Sequence, residues 1–347
     1  MLEVDGSYGE GGGQLVRTAV ALSALTGTPV RLANVRAGRA RPGLAPQHLA
    51  AVQAVAGLCG ARCEGLALRT TAFTFEPRAA PAGGEVRVDI GTAGSVTLVL
   101  QALLPMLFGA QAASRVTVIG GTDVRQAPTW DYFCEVLLAL LRRMKLDVRG
   151  TLVRRGYYPR GGGEVVVEVA PGPPEGLVLE EMNQKRRVRG AVHVANLPVS
   201  IAERMRDSAL KELTSKESLE GRISITTESV KPTEAVGTGG AITLWAHGEA
   251  GVLGASRVAE RGVRAETLGA AVGAELAADL ASGAALDVHA ADQVLVYMAM
   301  ARGASSFAVR EVTSHAHTAM WLLQKFLPVR FLVERGGALW RVRSVPR

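Results

Sequence analysis

The sequence predicts an α+β fold: a unit of strands and helices repeated three times, with a smaller α/β domain inserted before the third copy. Three observations carry this. The order helix, strand, helix, strand pair recurs along the chain. Strands fall in neighbouring pairs, which favours mixed or antiparallel sheets over a doubly wound one. Residues 184–281 break the recurrence with strands and helices of their own. The expected division is 1–183 and 282–347 in a large repeat domain, with 184–281 as the insert.

In the first copy, Gln14 to Thr26 is amphipathic at helical spacing and Pro29 to Val35 reads as a strand. Gln47 to Cys59 is a second helix, and Leu66 to Phe75 with Glu85 to Ile90 alternates as a hairpin-like region. The second copy places helices over Ser95 to Phe108 and Asp131 to Met144, around a strand at Arg115 to Ile119. Its strand pair is Leu146 to Val153 and Glu164 to Val169. The third has helices over Asp292 to Ala301 and Ser314 to Phe326, with a strand at Ser306 to Val309 between them. Val329 to Glu334 and Ala338 to Val342 close it around Gly336 and Gly337. Within the insert, Gly190 to Asn196, Arg222 to Glu228 and Ala241 to His247 read as strands, Ile201 to Leu213 and Arg264 to Ala281 as helices.

The repeat also locates a site. Gly9 to Gly13, Gly91 to Gly94 and Asp292 lead into the first helix of each copy; the second helices begin near Gln47, Pro128 and His315. Equivalent helix starts lie at corresponding places in a repeated fold. Their free N–H groups and partial positive charge suit phosphate.

The chain has 347 residues, 48% of them apolar, enough to bury a sizeable core. The net charge of +7 is moderate, but its placement is uneven. Arg142, Arg143, Lys145, Arg149, Arg154, Arg155 and Arg160 face one acid, Asp147, and Lys185, Arg186, Arg187 and Arg189 follow. Such clusters favour a polyanion, although a solvated basic surface is the more frequent explanation of charge alone. Cys59, Cys63 and Cys134 lack the second pair that a zinc site needs and read as small buried thiols. No signal layout opens the chain, and the longest apolar stretch, Val96 to Phe108, is too short to span a bilayer. A soluble, cytoplasmic protein is expected, with no membrane partner.

Glu10 sits within the glycine run Gly9 to Gly13. This is no Walker A loop, and a structural turn accounts for it as well as a phosphate cradle does. A carboxylate beside phosphate needs a divalent ion between them, so Glu10 is a metal-ligand candidate if a nucleotide binds. Arg17 follows on the first helix, and Arg36, Arg39 and Arg41 precede the helix that carries Gln47 and His48. Closely spaced guanidinium forks suit polyphosphate, and suit a basic surface loop equally. Ser314-His315-Ala316-His317 places two histidines on different faces of a helix, which argues against a two-histidine metal site. His315 shares its face with Ala319, Leu322, Leu323 and Phe326, whereas His317 falls on the polar side. A histidine so placed is more often a satisfied core residue than a nucleophile. A carboxylate fixing its tautomer would reverse that, and Asp292 is the partner expected. The stretch Tyr157 to Gly163 is either an ordinary loop or a surface where bases stack and phosphates meet Arg160.

Several long motifs then occur together and in order. They are Asp5-Gly6-Ser7-Tyr8-Gly9-Glu10-Gly11-Gly12-Gly13-Gln14, the run Arg36 to Leu44 with Gln47-His48-Leu49, Gly91-Thr92-Ala93-Gly94-Ser95, Tyr158-Pro159-Arg160-Gly161-Gly162-Gly163, and Phe326-Leu327-Pro328-Val329-Arg330-Phe331. Jointly they resemble the RNA 3′-terminal phosphate cyclase family from the N-terminus to near the C-terminus. The resemblance implies three βαβαββ units in a large domain related to enolpyruvyl transferases, plus the insert. It implies an ATP-dependent ligase that processes RNA ending in a 3′-phosphate, making a 2′,3′-cyclic phosphodiester with a divalent cation, Mg or Mn. By motif position His315 would accept AMP, with Asp292 beside it, and Glu10 would hold the metal. Arg17, Arg36, Arg39 and Gln47 would contact the nucleotide phosphates, and Pro128 would lie near the adenine. The chain has Thr318-Ala319 where the family commonly has Thr-Asn, which puts a local polar contact in question. A non-catalytic ribosome-assembly protein of the same fold is the main competing reading, but it need not keep His315 together with the arginines. An enolpyruvyl transferase and a plain RNA-binding protein are the others.

Overall fold

The computed structural model of the chain describes residues 1–179, 187–216 and 222–346. The first unit comprises β1 (Leu2–Asp5), α1 (Gly13–Thr26), β2 (Val30–Ala33), α2 (Pro46–Cys59), β3 (Arg62–Glu64) and β4 (Phe73–Glu76). Its sheet runs β1-β2-β4-β3, with β1 and β2 parallel and the other pairs antiparallel. The second unit repeats this with β5 (Gly84–Asp89), α3 (Val96–Phe108) and β6 (Ser114–Gly120). A helix follows as α4 (Trp130–Tyr132), a π turn (Phe133–Leu137) and α5 (Leu138–Arg143), then β7 (Val148–Gly156) and β8 (Gly163–Val169). The order β5-β6-β8-β7 matches the first sheet pair for pair.

The third unit is split. Its first strand, β9 (Val178–Leu179), precedes a long excursion. That excursion holds β10 (Arg187–Ala195), α6 (Val199–Lys216), β11 (Ile223–Val230), β12 (Ala235–Val236), β13 (Gly239–Gly248), β14 (Gly251–Val258) and α7 (Ala265–Ser282). The unit resumes with α8 (Val288–Met300), β15 (Ser305–Val309), α9 (Ser314–Phe326), β16 (Val329–Gly336) and β17 (Leu339–Pro346). Its sheet, β9-β15-β17-β16, has the same order and directions as the other two. The excursion forms a fourth sheet, β11-β10-β13-β14, against which α6 and α7 pack. β12 leaves that sheet and pairs in parallel with β7 of the second unit.

Three expectations need correction. The strand at 85–90 does not pair with the first copy's strands but opens the second unit beside β6. Alternation shows that a segment is a strand, not which neighbour it takes. A two-residue strand such as β9 has too few positions to show a period, and β14 was not expected at all. The helix expected from Asp292 begins at Val288, behind Asp287. The Asp287 carboxylate accepts from the His289 and Ala290 N–H groups, from the Tyr132 hydroxyl at 2.7 Å and from Gly254 N at 2.9 Å. That one buried N-cap ties α8 to the second unit and to the excursion.

One apolar core runs through the repeat units and into the excursion. α3 reads as apolar throughout because α1, α2, α8 and its own sheet enclose it, with Leu100, Leu103, Leu104 and Met106 fully buried. α9 buries Ala316, Ala319, Met320, Leu322 and Leu323 at helical spacing, starts on the Thr313 cap and stops before Pro328. No helix among the described residues is long and apolar enough to cross a membrane.

Candidate active site

The starts of α1, α2, α8 and α9 converge on a cavity of about 670 Å³, with β14 and the 124–129 loop completing its wall. The first unit supplies Glu10, Arg17, Arg36, Arg39 and Gln47; the second Pro128; the third Asp292 and His315. Of the residues singled out for nucleotide or metal, these eight line this one space, whereas Arg41 does not line it and is exposed.

His315 lies in the first turn of α9 with its side chain 42% exposed, while His317 faces solvent. Its Nδ1 is 2.8 Å from Glu10 Oε2 and 2.8 Å from Gln14 Oε1. Both partners are acceptors, so Nδ1 carries the proton and Nε2 keeps its lone pair. Burial pushes the His315 pKa down; Asp292 opposes this, and Arg39 and Arg17 reinforce it. Glu10 also pairs with the Arg39 guanidinium, which offsets much of its charge.

Asp292 does not orient the imidazole directly. Its Oδ1 accepts from Thr313 Oγ1 at 2.7 Å, and that same oxygen caps α9 by accepting from Ala316 N at 3.0 Å. Asp292 thus fixes the helix start that carries His315, and burial pushes its own pKa up to about 6. The glycine loop is clamped to α9 as well. Thr318 Oγ1 donates to Ser314 O at 2.7 Å and accepts from Glu10 N at 3.3 Å, and Tyr8 stacks on Trp321 with centroids 3.9 Å apart. A Cβ on Gly9, which sits at φ +60°, would fall 2.1 Å from Thr318 Oγ1, so only glycine fits. Thr318 therefore keeps a polar contact beside the departure from Thr-Asn, and Ala319 simply lines the cavity.

No site role was given to Gln14, Thr313 or Thr318 from the sequence, although Gln14 and Thr318 fall in motifs of the resemblance. Thr313 had a signal, since a threonine before a helical run is a cap. Gln14 and Thr318 had none, because their partners lie some three hundred residues away.

The cations are arranged for an anion. Arg17 is 7% exposed and its Nε has no partner; burial, with Arg36 adding, pushes its pKa down to about 10. Arg36 holds the loop by donating from Nη1 to Gly43 O at 2.8 Å and Arg41 O at 3.1 Å, with φ at 56°. Gln47 Oε1 accepts from Ser95 N at 2.9 Å, and Thr97 Oγ1 fixes the Pro128 carbonyl at 2.9 Å. His48 is buried beside the arginines; burial and the charges of Arg17, Arg36 and Arg39 push its pKa down to about 2.

Beneath the 124–129 loop lies a buried charge network. Arg155 spans Asp123 and Asp131 at 3.1 Å each, and His193 Nε2 faces them at 3.8 and 3.4 Å. The two carboxylates and the imidazole bring ligand-type atoms within 4.8 Å of one another, but the Arg155 guanidinium already supplies the cation between the carboxylates. The basic run read as a polyanion surface is thereby split: Arg155 is buried here, and Arg143 binds the Gly248 and Glu249 carbonyls. Lys185 and Arg186 lie outside the described residues, whereas Arg187 and Arg189 are exposed on β10. Cys59, Cys63 and Cys134 are free thiols; Cys59 is buried as expected, whereas Cys63 and Cys134 are only half-buried.

A model of the family described as RNA 3′-terminal phosphate cyclase matches residues 8–333, from the glycine loop through α9 to β16. The chain belongs to the RNA 3′-terminal phosphate cyclase family. A relative named RNA 3′-terminal phosphate cyclase from Nitrosospira multiformis is 51% identical over 347 residues, covering 100% of this chain and 97% of its own. Relatives of the same name from Archaeoglobus fulgidus and Pyrobaculum neutrophilum are 45% and 42% identical, covering 94% and 97% of this chain and 96% of their own. A solved enolpyruvyl transferase, NikO from Streptomyces tendae, aligns over 99% of this chain and 48% of its own at 12% identity and a TM-score of 0.39, too low to carry an argument. The repeated units rest on the three matching sheets themselves. As a cyclase-family member the chain is an enzyme of the ligase type, and the family implies use of ATP.

The cavity fits that nucleotide by its own chemistry. Arg17 is a buried cation with an orphaned Nε, which a phosphate oxygen satisfies. Gly12 offers no side chain to cap the first N–H groups of α1. Leu98, Val124, Ala127, Pro128, Val296 and Leu323 give an apolar wall for a base. Glu10 is a single carboxylate, the minimum with which a magnesium-type ion sits on substrate phosphates.

Proposed function

We propose that the chain converts the 3′-terminal phosphate of RNA into a 2′,3′-cyclic phosphodiester, using ATP and an adenylate carried on His315. The observation that carries this reading is the Nδ1 contact of His315 with Glu10 and Gln14, which leaves Nε2 free in a cavity lined by arginines. Nε2 attacks the α-phosphorus, an N–P bond forms, and pyrophosphate leaves. Arg17, Arg36 and Arg39 offset the charge that builds on it. An oxygen of the RNA 3′-phosphate then attacks the adenylate phosphorus and Nε2 departs, restoring the histidine. Last, the neighbouring 2′-OH attacks the activated phosphate: its O–P bond forms as the anhydride bond to AMP breaks, AMP leaves, and the hydroxyl proton is released to water. This step is intramolecular, so proximity supplies much of its rate, and it requires ribose at the terminus. Gln47 joins the phosphate contacts, Pro128 borders the adenine, and Asp292 acts through the Thr313 cap. Glu10 would hold the divalent ion, whose role is to stabilise charge on the phosphates. We further propose that the excursion after β9, residues 184–281, is an inserted domain that shares its core with the repeat units and lends β14 to the cavity wall.

The test is incubation with α-labelled ATP and Mg or Mn, without RNA. Label bound to protein, acid-labile and alkali-stable, should form in wild type and His317→Ala and vanish in His315→Ala. Label retained by His315→Ala would refute the assignment.

A further inference from the structure

A second concavity, of about 630 Å³, lies between the β7–β8 loop and the 232–238 segment of the excursion. Arg154, Tyr158 and Arg160 line one side; Asn196, Thr233 and Thr238 line the other. Among the described residues, no acidic one lines it. Glu234, close by in sequence, already faces Lys231 at 3.7 Å. Arg160 is exposed and has no ion-pair partner among the described residues. Arg154 donates from Nη2 to Gly162 O at 3.0 Å, and its buried Nε has no partner. Tyr158 stands out from the same loop at 77% exposure, an aromatic face with nothing stacked on it among the described residues.

The concavity is linked to the cavity of His315 through the 91–95 loop. Gly161 is seated on the 91–95 loop so closely that a Cβ there would lie 2.5 Å from Thr92 O. The same loop binds Gln47 through Ser95 N and packs Gly94 against the Gln47 side chain. Gln47 lines the first cavity. A chain of direct contacts, Gln47 to Gly94 and Ser95 to Thr92 to Gly161, thus joins the two spaces.

We propose that this groove holds the single-stranded RNA just upstream of the reacting 3′-phosphate, with a base on the Tyr158 ring and phosphodiesters on Arg160 and Arg154. Stacking on an aromatic beside cations is how single strands are held without base readout. A strand that fills both spaces gains contacts with each added nucleotide, so affinity should rise with strand length. This rests on the cyclase reading for the identity of the strand, but its measurement does not depend on turnover.

Binding of a short fluorescein-labelled single-stranded RNA ending in 3′-phosphate should be followed by anisotropy, against a dinucleotide 3′-phosphate as competitor. Tyr158→Ala should weaken the longer strand by about 5- to 150-fold, the range for losing one base–aromatic stack. Arg160→Gln should lower the slope of log affinity against log salt by about 0.7, the single-strand value for one phosphate contact. Both side chains are exposed, so these variants should fold, which circular dichroism checks. Unchanged affinity and slope in both variants would overturn the proposal. So would full displacement of the strand by inorganic phosphate at matched ionic strength, because the groove would then be a simple anion site. Adenylation of wild-type protein by ATP alone is scored separately, so failure of the catalytic reading and failure of the groove are told apart.

Discussion

Replacing Arg155 by leucine should destabilise the protein by about 3–5 kcal/mol, the cost of breaking a buried ion pair from one side. The structure says why. Arg155 is 8% exposed, Asp123 is fully buried and Asp131 is 18% exposed, so removing the guanidinium strands two carboxylates away from water. His193 remains, but it lies at 3.4 and 3.8 Å without hydrogen-bond geometry and compensates only in part. With an unfolding entropy of about 2.1 cal/mol/K per residue over 347 residues, the loss corresponds to a Tm lower by about 4–7 °C. Scanning calorimetry measures this directly. Arg87→Leu is the control: it breaks the exposed pair with Glu164, at 3.5 Å, and should cost about 1 kcal/mol or less. The network also predicts a pH window. Burial opposes both carboxylates' charge, but Arg155 and His193 outweigh it and hold Asp123 and Asp131 below the usual carboxylate range. Burial and Arg155 oppose the charged His193, and the two aspartates together outweigh them and raise its pKa. The depressed carboxylates contribute fully above their unfolded value of about 3.9 and lose that as pH falls through their folded values. The raised histidine contributes fully below its unfolded value of about 6.5 and loses that as pH rises through its folded value. The penalty of Arg155→Leu should therefore be largest toward neutral pH and shrink progressively as pH falls, because the stranded carboxylates of the variant take up protons before those of wild type. A Tm within one degree of wild type at pH 7 would refute the reasoning.

Other consequences concern the cavity. Glu10→Gln removes both the carboxylate beside His315 Nδ1 and the proposed metal ligand, so adenylation should slow by roughly 10-fold or more in a single-turnover assay. Rates equal to wild type would mean that Glu10 does not set the tautomer. Arg17→Met deletes a buried cation with an orphaned nitrogen, so the ligand-free protein should melt no lower than wild type, while the upward Tm shift given by ATP should be lost. A full ATP shift in that variant would remove Arg17 from the phosphate site. Because burial depresses the His315 pKa, adenylation should hold through pH 7 and decline only below the ordinary imidazole value of about 6.5. A midpoint at or above that value would contradict a neutral, arginine-flanked ring.

Much of this was legible before any coordinates. α9 was expected at Ser314 to Phe326 and runs over those residues, because its period, cap and proline stop agree. The facing of His315 and His317 followed from 100° per residue. The threefold order of elements was enough to bring Glu10, Pro128, Asp292 and His315 to one cavity, since equivalent helix starts in repeated units lie at equivalent places. What failed was pairing. The strand at 85–90 was assigned to the wrong sheet, and β9 was missed, because a strand's partner is chosen by packing across the chain.

The sequence by itself determined the repeat, the helix faces and the residue types gathered at the helix starts, because period, caps and turns are local. Tertiary structure alone decided which group touches which. Asp292 was expected on His315 and instead holds Thr313, while Glu10 and Gln14 reach the ring from across the fold. Arg155 was read as part of a basic surface and is buried between two aspartates and a histidine that no local pattern connects to it. The physical reason is range. Backbone preference acts over a few residues, whereas burial and short-range charge pairing depend on what the closed chain brings within a few ångströms.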